Sequence, residues 1–264
     1  MAGLASTNVR DLRKVFKPAS GSADVIAIDR LDLKFDKGEI VAIVGTTGCG
    51  KSTFLDLLIG LESATSGKIE IGGKNPFDDF KAFRGKIGTI FQQDRLLPWR
   101  NSLDNVKLPL ELLGIANAEQ VRAATYWLDR LGLQRFLHAY PHELSGGMRQ
   151  RVAIARAFVL RPQLLLADEA FSALDEVTAG DLRKSFIALS HEIDATAILI
   201  THQLEEAIEV GDRVIVLGKG AALLADTKVA DWPASRHGEL RRAIQTTLSN
   251  NVADPICAER FGSS

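Results

Sequence analysis

Eight consecutive residues match the pattern G-x-x-x-x-G-K-[ST], namely Gly45, Thr46, Thr47, Gly48, Cys49, Gly50, Lys51 and Ser52. The glycines let the backbone curl so that its N–H groups point at an anion, and the helix predicted to follow adds its positive N-terminal end. Lys51 can reach the β- and γ-phosphates of a nucleotide, Ser52 can bind Mg²⁺, and Thr53 completes the predicted site. A glycine turn without a ligand is the alternative. It is disfavoured because the loop follows the apolar run EIVAIVG and opens a helical pattern.

Cys49 lies inside this loop, and two interpretations of it remain open. A helix N-terminus favours the thiolate form, so a reactive thiol is conceivable. The other interpretation is a small filler whose backbone N–H does the binding, and we favour it. The second cysteine of the chain, Cys257, is far away in sequence. A disulfide framework is therefore not expected, and the chain is predicted to be cytosolic with reduced thiols.

Two acidic residues, Asp168 and Glu169, end the apolar run LLLADE. In parallel sheets, ligand sites gather at the carboxyl ends of the strands. Asp168 would hold Mg²⁺, directly or through water, and Glu169 would take a proton from an attacking water or orient it. Acidic residues also end strands by chance. By itself the acidic pair is therefore weak evidence for a nucleotide site, and it becomes strong evidence because the chain also has the phosphate loop.

A third motif, LSGGMRQR, occupies residues 144–151. LSGG followed by Gln-Arg resembles the signature of ABC ATPases, and the resemblance extends from about residue 8 to 230 with the motifs in the family's order. It assigns four further positions, namely the Q-loop glutamine Gln92, the D-loop aspartate Asp175, the switch histidine His202 and the adenine-stacking aromatic Phe16. Taken alone, His202 could be a strand-end histidine, Gln92 a polar loop residue, and Phe16 part of the core.

The resemblance also implies how such a chain works. Glu169, His202 and Gln92 would act in catalysis, and Ser52, Gln92 and Asp168 would hold Mg²⁺. A second anion nest, made of Ser145, Gly146, Gly147 and Gln150, would contact the γ-phosphate of an ATP held by a second ATPase subunit. Two identical chains would then bind head to tail around two ATP molecules. Three departures from the family pattern leave the rate and the dimer geometry open, namely Thr47, Ala170 and Ser172.

The segment FQQDRLLPWRNSLDNV at residues 91–106 is the most specific clue within the family. It resembles the ATPases of nitrate, sulfonate, taurine and bicarbonate importers, which implies a small organic or inorganic anion as the transported substrate. An apolar surface for a membrane subunit is expected from Leu96, Leu97, Pro98, Trp99 and Leu103. The alternative is that Trp99 packs inside the helical part of the chain.

The elements that must position these residues alternate between strands and helices, which favours a mainly parallel α/β sheet. The family resemblance adds an N-terminal antiparallel β subdomain and an inserted helical subdomain at about residues 94–150. We expect one ABC ATPase domain over 1–232, with a hairpin that turns at Gly218 and Gly220. A helical tail is predicted over 233–264, since apolar residues recur there at helical spacing: Leu240, Ala243, Ile244 and Leu248.

Composition sets the remaining limits. The 264 residues carry a formal net charge of -1, which gives no hint of nucleic-acid binding, and no apolar run reaches the length of a membrane span. The expected partners are two membrane permease subunits and, indirectly, a periplasmic or extracellular substrate-binding protein, and the expected location is the cytoplasmic face of the membrane. A non-transport or export ABC ATPase is the alternative function.

Overall fold

The computed structural model describes residues 6–17 and 23–252, and the architecture below concerns those ranges. Their strands are β1 (Thr7–Phe16), β2 (Val25–Phe35), β3 (Ile40–Gly45), β4 (Ser66–Ile71), β5 (Ile87–Ile90), β6 (Leu164–Asp168), β7 (Thr196–Thr201), β8 (Arg213–Leu217) and β9 (Leu223–Lys228). Their α-helices are α1 (Lys51–Ile59), α2 (Ser102–Leu112), α3 (Asn117–Arg130), α4 (Gly146–Phe158), α5 (Glu176–Glu192), α6 (Leu204–Val210) and α7 (His237–Val252).

The central sheet has six strands in the order β5-β6-β7-β3-β8-β9. All neighbours are parallel except β8 and β9, which form the antiparallel hairpin predicted at Gly218 and Gly220. The inner strands read as continuous apolar runs because both of their faces are covered. In β6, Leu165 and Ala167 face a core shared with α4 and α5, while Leu164 and Leu166 face the core under α1.

A second sheet of three antiparallel strands, in the order β2-β1-β4, packs over α1 and the phosphate-loop side of the central sheet. Leu12, Ile28, Leu31 and Phe35 alternate with exposed polar residues along its strands and are almost fully buried. The predicted antiparallel β subdomain and mainly parallel core are therefore confirmed. Residues 18–22 of the predicted loop between β1 and β2 lie outside the described ranges.

The helical insertion is built from α2, α3 and the start of α4 around Trp127, which is 2% exposed. Its indole lies 5.4 Å from the Phe158 ring, measured between centroids, so the insertion and the end of α4 share one core. Helix α4 packs against α2 and α3 and also against β5. The helix that begins at the signature motif thus joins the inserted helices to the sheet.

The tail helix α7 packs against α6 and β9. Leu240 and Ile244 are buried there and Leu248 is partly buried, as their helical spacing predicts. Ala243 is an exception, because it lies on the solvent side of α7. Cys257 and the rest of the predicted tail beyond residue 252 lie outside the described residues. Within the described ranges, no helix combines the length and the apolar composition that a membrane span requires.

Candidate functional site

The loop between β3 and α1 has the geometry that its glycines predict. Gly48 and Gly50 have positive φ values of 77° and 109°, which favour glycine because it has no Cβ. A Cβ on Gly50 would also lie 2.4 Å from the carbonyl oxygen of Ala27 in β2. Gly50 is therefore required twice, once by its own backbone conformation and once by the strand packed against it.

Lys51 begins α1 and is held across the mouth of the loop. Its Nζ donates hydrogen bonds to the carbonyl oxygens of Gly45, at 2.7 Å, and Thr46, at 2.9 Å. Its third contact is the Cys49 sulfur at 3.6 Å. Cys49 itself is 1% exposed and packs beneath the loop, which supports the filler interpretation over a reactive thiol.

The loop borders a cleft of about 650 Å³. Three parts of the chain line this cleft. They are the phosphate loop with the start of α1, the ends of β6 and β7, and the facing strands β1 and β2 of the antiparallel sheet. The lining residues are Thr47, Gly48, Gly50, Lys51, Ser52 and Thr53; Asp168, Glu169, Ile200 and His202; and Phe16, Val25, Ile26 and Ala27. The tertiary structure therefore brings the predicted phosphate loop and the predicted acidic pair to one cavity.

Glu169 and His202 meet at the ends of the adjacent strands β6 and β7. The Nδ1 atom of His202 lies 3.2 Å from Oε1 of Glu169. Glu169 has a positive φ of 47°, which is strained for a residue with a side chain, and its N–H donates to the carbonyl of Ile200 at 2.8 Å. Ser172 holds the same turn from the other side, since its hydroxyl donates to the Glu169 carbonyl at 2.9 Å.

Asp168 is the last residue of β6 and lines the same cleft. Burial raises the pKa of its carboxyl, and the negative charges of Glu169 and Asp56 raise it further, while Lys51 opposes them. Such a site gains stability from a bound cation, because a cation offsets the repulsion among these carboxylates. Asp168 and Ser52 offer the oxygen ligands that Mg²⁺ prefers. In the described part of the chain, no group of three or more His, Cys, Asp or Glu residues is gathered around a metal position.

The signature segment lies outside this cleft, at the N-terminus of α4. Ser145 is the N-cap, and its hydroxyl accepts a hydrogen bond from the Met148 N–H at 3.3 Å. Ser145 and Gly146 are exposed. A Cβ on Gly147 would lie only 2.6 Å from Cγ2 of Thr178 in α5, so glycine is required by this close packing.

Gln150 is buried, although its motif predicted a surface position in contact with the nucleotide of a second chain. It is 4% exposed, and its side-chain amide donates to the carbonyls of Ala170 at 2.6 Å and Phe91 at 3.2 Å. A direct contact between this side chain and a nucleotide on a second chain is inconsistent with that burial. Gln150 instead ties the signature helix to the turns that follow β5 and β6.

The other predicted site residues occupy different surroundings. Gln92 is exposed after β5 and does not line the cleft. Asp175 caps α5 by accepting from the Thr178 N–H at 3.0 Å, and this hydrogen bond lowers the pKa of Asp175. Phe16 is 38% exposed at the cleft wall, with the Lys14 ammonium 4.8 Å from its ring centroid. Its exposure excludes the alternative that Phe16 is plain core.

The expected apolar surface is only partly exposed. Trp99 is 71% exposed, so it does not pack inside the helical insertion. Leu96, by contrast, is 9% exposed and belongs to the core, which corrects its assignment to the surface. Asn105 of α2 explains the difference, because its side chain holds both the N–H and the carbonyl of Leu97. This clamp fixes the backbone so that Leu96 faces inward while Pro98 and Trp99 face solvent.

Sequence motifs missed one wall of the cleft. Val25, Ile26 and Ala27 face the phosphate loop from β2, and Ile200 lies beneath the Glu169 turn. These apolar residues belong to no chemical motif. Only the packing of the antiparallel sheet over the loop, and of β7 beside β6, could have identified them.

The comparisons with known proteins agree with this architecture. The family model described as ABC transporter matches residues 28–172. The chain therefore belongs to the ABC transporter family, and it is an ATPase of that family.

Several relatives match over most of their length. The chain is 40% identical over 250 residues to the nitrate import ATP-binding protein NrtD of Synechocystis sp. (strain ATCC 27184 / PCC 6803 / Kazusa), covering 94% of this chain and 85% of that protein. It is 38% identical over 250 residues to the methionine import ATP-binding protein MetN 2 of Enterococcus faecalis (strain ATCC 700802 / V583), covering 92% and 72%. It is 39% identical over 227 residues to the aliphatic sulfonates import ATP-binding protein SsuB 1 of Burkholderia lata (strain ATCC 17760 / DSM 23089 / LMG 22485 / NCIMB 9086 / R18194 / 383), covering 85% and 67%.

Among solved structures, the chain is similar to the dimeric ATP-binding cassette MJ0796 in a post-hydrolysis state bound to ADP and Pi. The TM-score is 0.74 at 32% sequence identity, and the match covers 84% of this chain and 98% of that one.

Proposed function

We propose that this chain hydrolyses ATP to energise a membrane importer for a small organic or inorganic anion. The observation that carries the proposal is the single cleft in which Lys51 and Ser52 of the loop face Asp168, Glu169 and His202 at the strand ends. A nucleotide bound along the loop would place its terminal phosphate beside these strand ends. That arrangement suits the transfer of a phosphoryl group to water.

Each side chain has a distinct part in the proposed reaction. Lys51 neutralises phosphate charge, and its present carbonyl contacts keep its ammonium at the loop. Mg²⁺, held by Ser52 and Asp168, would neutralise the negative charge that builds on the phosphates. Glu169 orients the attacking water and accepts its proton. His202 fixes the position of the Glu169 carboxylate through the 3.2 Å contact.

The active unit in this proposal is a pair of identical chains bound head to tail. The exposed N-terminus of α4 at Ser145 and Gly146 presents backbone N–H groups to solvent, and these residues do not line the chain's own cleft. A second copy would bring this nest to the nucleotide of the first. The cassette MJ0796, which has a similar fold, is dimeric, and this supports a pair of chains as the active unit. In this dimer, Gln150 supports the signature from within, and Asp175 lies at the exposed start of α5 beside it.

The proposed membrane partners are two permease subunits that contact the apolar surface formed by the exposed Pro98 and Trp99 and the half-buried Leu97. An exposed tryptophan beside apolar neighbours is typical of a protein interface anchor. The chain would then be peripheral, at the cytoplasmic face of the membrane. A substrate-binding protein on the other side of the membrane would supply the solute.

The proposed class of solute rests on the residues 91–106 and on two relatives. The names of NrtD and SsuB 1 refer to nitrate and to aliphatic sulfonates, both of them anions. The name of MetN 2 refers to methionine, a zwitterion with one carboxylate. Methionine has no net charge at neutral pH, so it represents the competing class of solute, which the transport experiment must distinguish from the two anions.

The catalytic part is tested with purified Glu169→Gln protein. We expect nucleotide binding to be retained, turnover to fall at least about a hundredfold because the proton acceptor is lost, and a dimer to form only when ATP is added. Turnover and light scattering after size exclusion are the measurements. The matched control is Glu119→Gln, which removes an exposed carboxylate far from the strand ends and should behave as the wild type. Normal turnover by Glu169→Gln would refute the assignment.

The transport part is tested in cells that lack this chain. We expect them to lose growth on nitrate as the nitrogen source or on an alkanesulfonate as the sulfur source, and to regain it with the wild-type gene but not with Lys51→Ala. Loss of methionine uptake with both anions still used would overturn the proposed solute class while leaving the ATPase intact.

A further inference from the structure

Glu206 is a buried carboxylate that the proposed reaction does not use. It lies in α6 and is 2% exposed. Its Oε2 accepts a hydrogen bond from the hydroxyl of Thr201, the last residue of β7. Its Oε1 has no hydrogen-bond partner in the part of the chain that the structure describes. A buried carboxylate with one oxygen unsatisfied is costly, so stability alone does not account for this residue.

The Thr201 hydroxyl has a second contact that defines the turn after β7. Its oxygen accepts a hydrogen bond from the Gln203 N–H at 3.0 Å. The hydroxyl has only one hydrogen, which it donates to Glu206. Its oxygen is therefore oriented so that a lone pair faces the Gln203 N–H. The backbone from Thr201 to Gln203 is therefore fixed from both sides. His202 is the residue in the middle of this turn.

The same turn is attached to Glu169. The His202 ring contacts the Glu169 carboxylate, and the Ile200 carbonyl accepts from the Glu169 N–H at 2.8 Å. The His202 side chain is 55% exposed, so little packing holds it in this position. Its backbone therefore sets where the ring lies, and a small rotation of the turn would separate it from Glu169.

We propose that Glu206 is a positioning residue for the catalytic pair: by binding the Thr201 hydroxyl it fixes the turn that holds His202 against Glu169. This inference rests on the proposed roles of His202 and Glu169 in hydrolysis. Glu206 also interacts electrostatically with Glu169, His202 and the buried Arg183 of α5, which agrees with its position behind the catalytic pair.

The first test replaces Glu206 with methionine, an apolar residue of similar length. Because the unsatisfied buried carboxylate is removed, Glu206→Met is expected to melt no lower than the wild type. The ATPase kcat should nevertheless fall roughly tenfold to a hundredfold, since a displaced catalytic group costs about that much, while the KM for ATP stays within about twofold. The matched control is Glu205→Met on the same helix, where the carboxylate is exposed and pairs with Arg241. It should retain kcat within about twofold.

Two further variants separate positioning from general damage. Thr201→Val removes the hydroxyl and should reproduce the loss of kcat, whereas Glu206→Gln keeps an acceptor oxygen for Thr201 and should restore most of it. The effects of Glu206→Met and Thr201→Val should not add in the double variant, because both break one contact. Full turnover by Glu206→Met, or additive losses, would overturn the proposal.

A structural readout keeps this inference separate from the proposed function. In a crystal structure of Glu206→Met, the His202 Nδ1 atom should lie well beyond hydrogen-bond distance of Glu169. An unchanged contact would overturn the positioning role, whatever the activity. If His202→Ala itself retained full turnover, the proposed part of His202 in hydrolysis would fail, and the displacement of the ring in Glu206→Met would still decide whether Glu206 positions it.

Discussion

Gly147 offers a quantitative test of how the signature segment is packed. The ideal Cβ position at Gly147 is 2.6 Å from Cγ2 of Thr178, while at Gly146 the nearest atom is a guanidinium nitrogen of Arg149 at 3.9 Å. Both glycines lie in the first turn of α4. Alanine at the two positions should therefore have opposite effects on stability, although the sequence change is the same.

The expected magnitudes follow from these distances. Carbon atoms pack best at about 3.5–4.0 Å, so Thr178 must move by about 1 Å to admit alanine at 147. Overpacking of this kind costs about 1–3 kcal/mol, and the better helix propensity of alanine returns about 0.5–1 kcal/mol. Gly147→Ala should then be destabilised by about 0.5–2 kcal/mol, and Gly146→Ala should be slightly stabilised. Because Thr178 also donates its N–H to Asp175, we expect Gly147→Ala to lower turnover as well.

The assay is urea unfolding followed by circular dichroism, with thermal melting as a second measurement. For a chain of this size the loss corresponds to a melting temperature about 1–8 °C lower. Thr178→Ser removes the methyl group in question, so the double variant with Gly147→Ala should recover most of the loss. If Gly147→Ala were as stable as Gly146→Ala, or if Thr178→Ser gave no recovery, the close packing between α4 and α5 would be refuted.

Three further predictions concern the loop, the exposed tryptophan and the buried carboxylate. Gly50→Ala should lower the melting temperature more than Gly48→Ala. Both variants place an alanine in the left-handed region, which costs about 1–2 kcal/mol, but only the Cβ at position 50 would clash with the Ala27 carbonyl. Equal melting temperatures would contradict this reasoning. Trp99→Ala should leave the melting temperature within about 2 °C of the wild type, since substitutions at exposed sites change stability by about 0.5 kcal/mol. The same variant should copurify less well with the permease subunits. A large fall in melting temperature would instead show that Trp99 has a packing role. Glu206→Gln should gain stability over the wild type as pH rises, as measured by urea unfolding from pH 4 to 8. Burial raises the pKa of Glu206, so its contribution is present below the unfolded-state pKa and lost as pH rises through the folded-state pKa; a stability difference that does not change with pH would refute the reasoning.

The phosphate loop was predictable from sequence because its parts are contiguous. A buried strand, a glycine-rich turn and a helix follow one another within residues 39–59, and the φ values of Gly48 and Gly50 agree with the residue type. The strands of the central sheet were also predictable, since strands covered on both faces read as continuous apolar runs. Helices α5 and α6 were not identified in advance, because their apolar faces are interrupted by buried charged residues such as Arg183 and Glu206.

Side-chain direction was less predictable than element position. Leu96 and Trp99 belong to one apolar segment, and its composition does not indicate which of them faces solvent. The side chain of Asn105 decides this from another element. Gln150 was likewise expected at a surface because of its motif, whereas the turns after β5 and β6 offer it two buried carbonyl acceptors.

The sequence by itself determined the chemistry: which residues can bind phosphate, which can bind a cation and which can accept a proton, because those capacities belong to residue types and to short contiguous motifs. Only the tertiary structure decided which of them meet. Glu169 and His202 are in contact because β6 and β7 are adjacent parallel strands whose ends lie at one edge of the sheet. The turn that carries His202 is fixed by Glu206, from a helix that begins after it. The contact between Glu169 and His202 depends on the packing of strands that are distant in sequence, whereas the contact of Glu206 with Thr201 requires α6 to fold back against the end of β7.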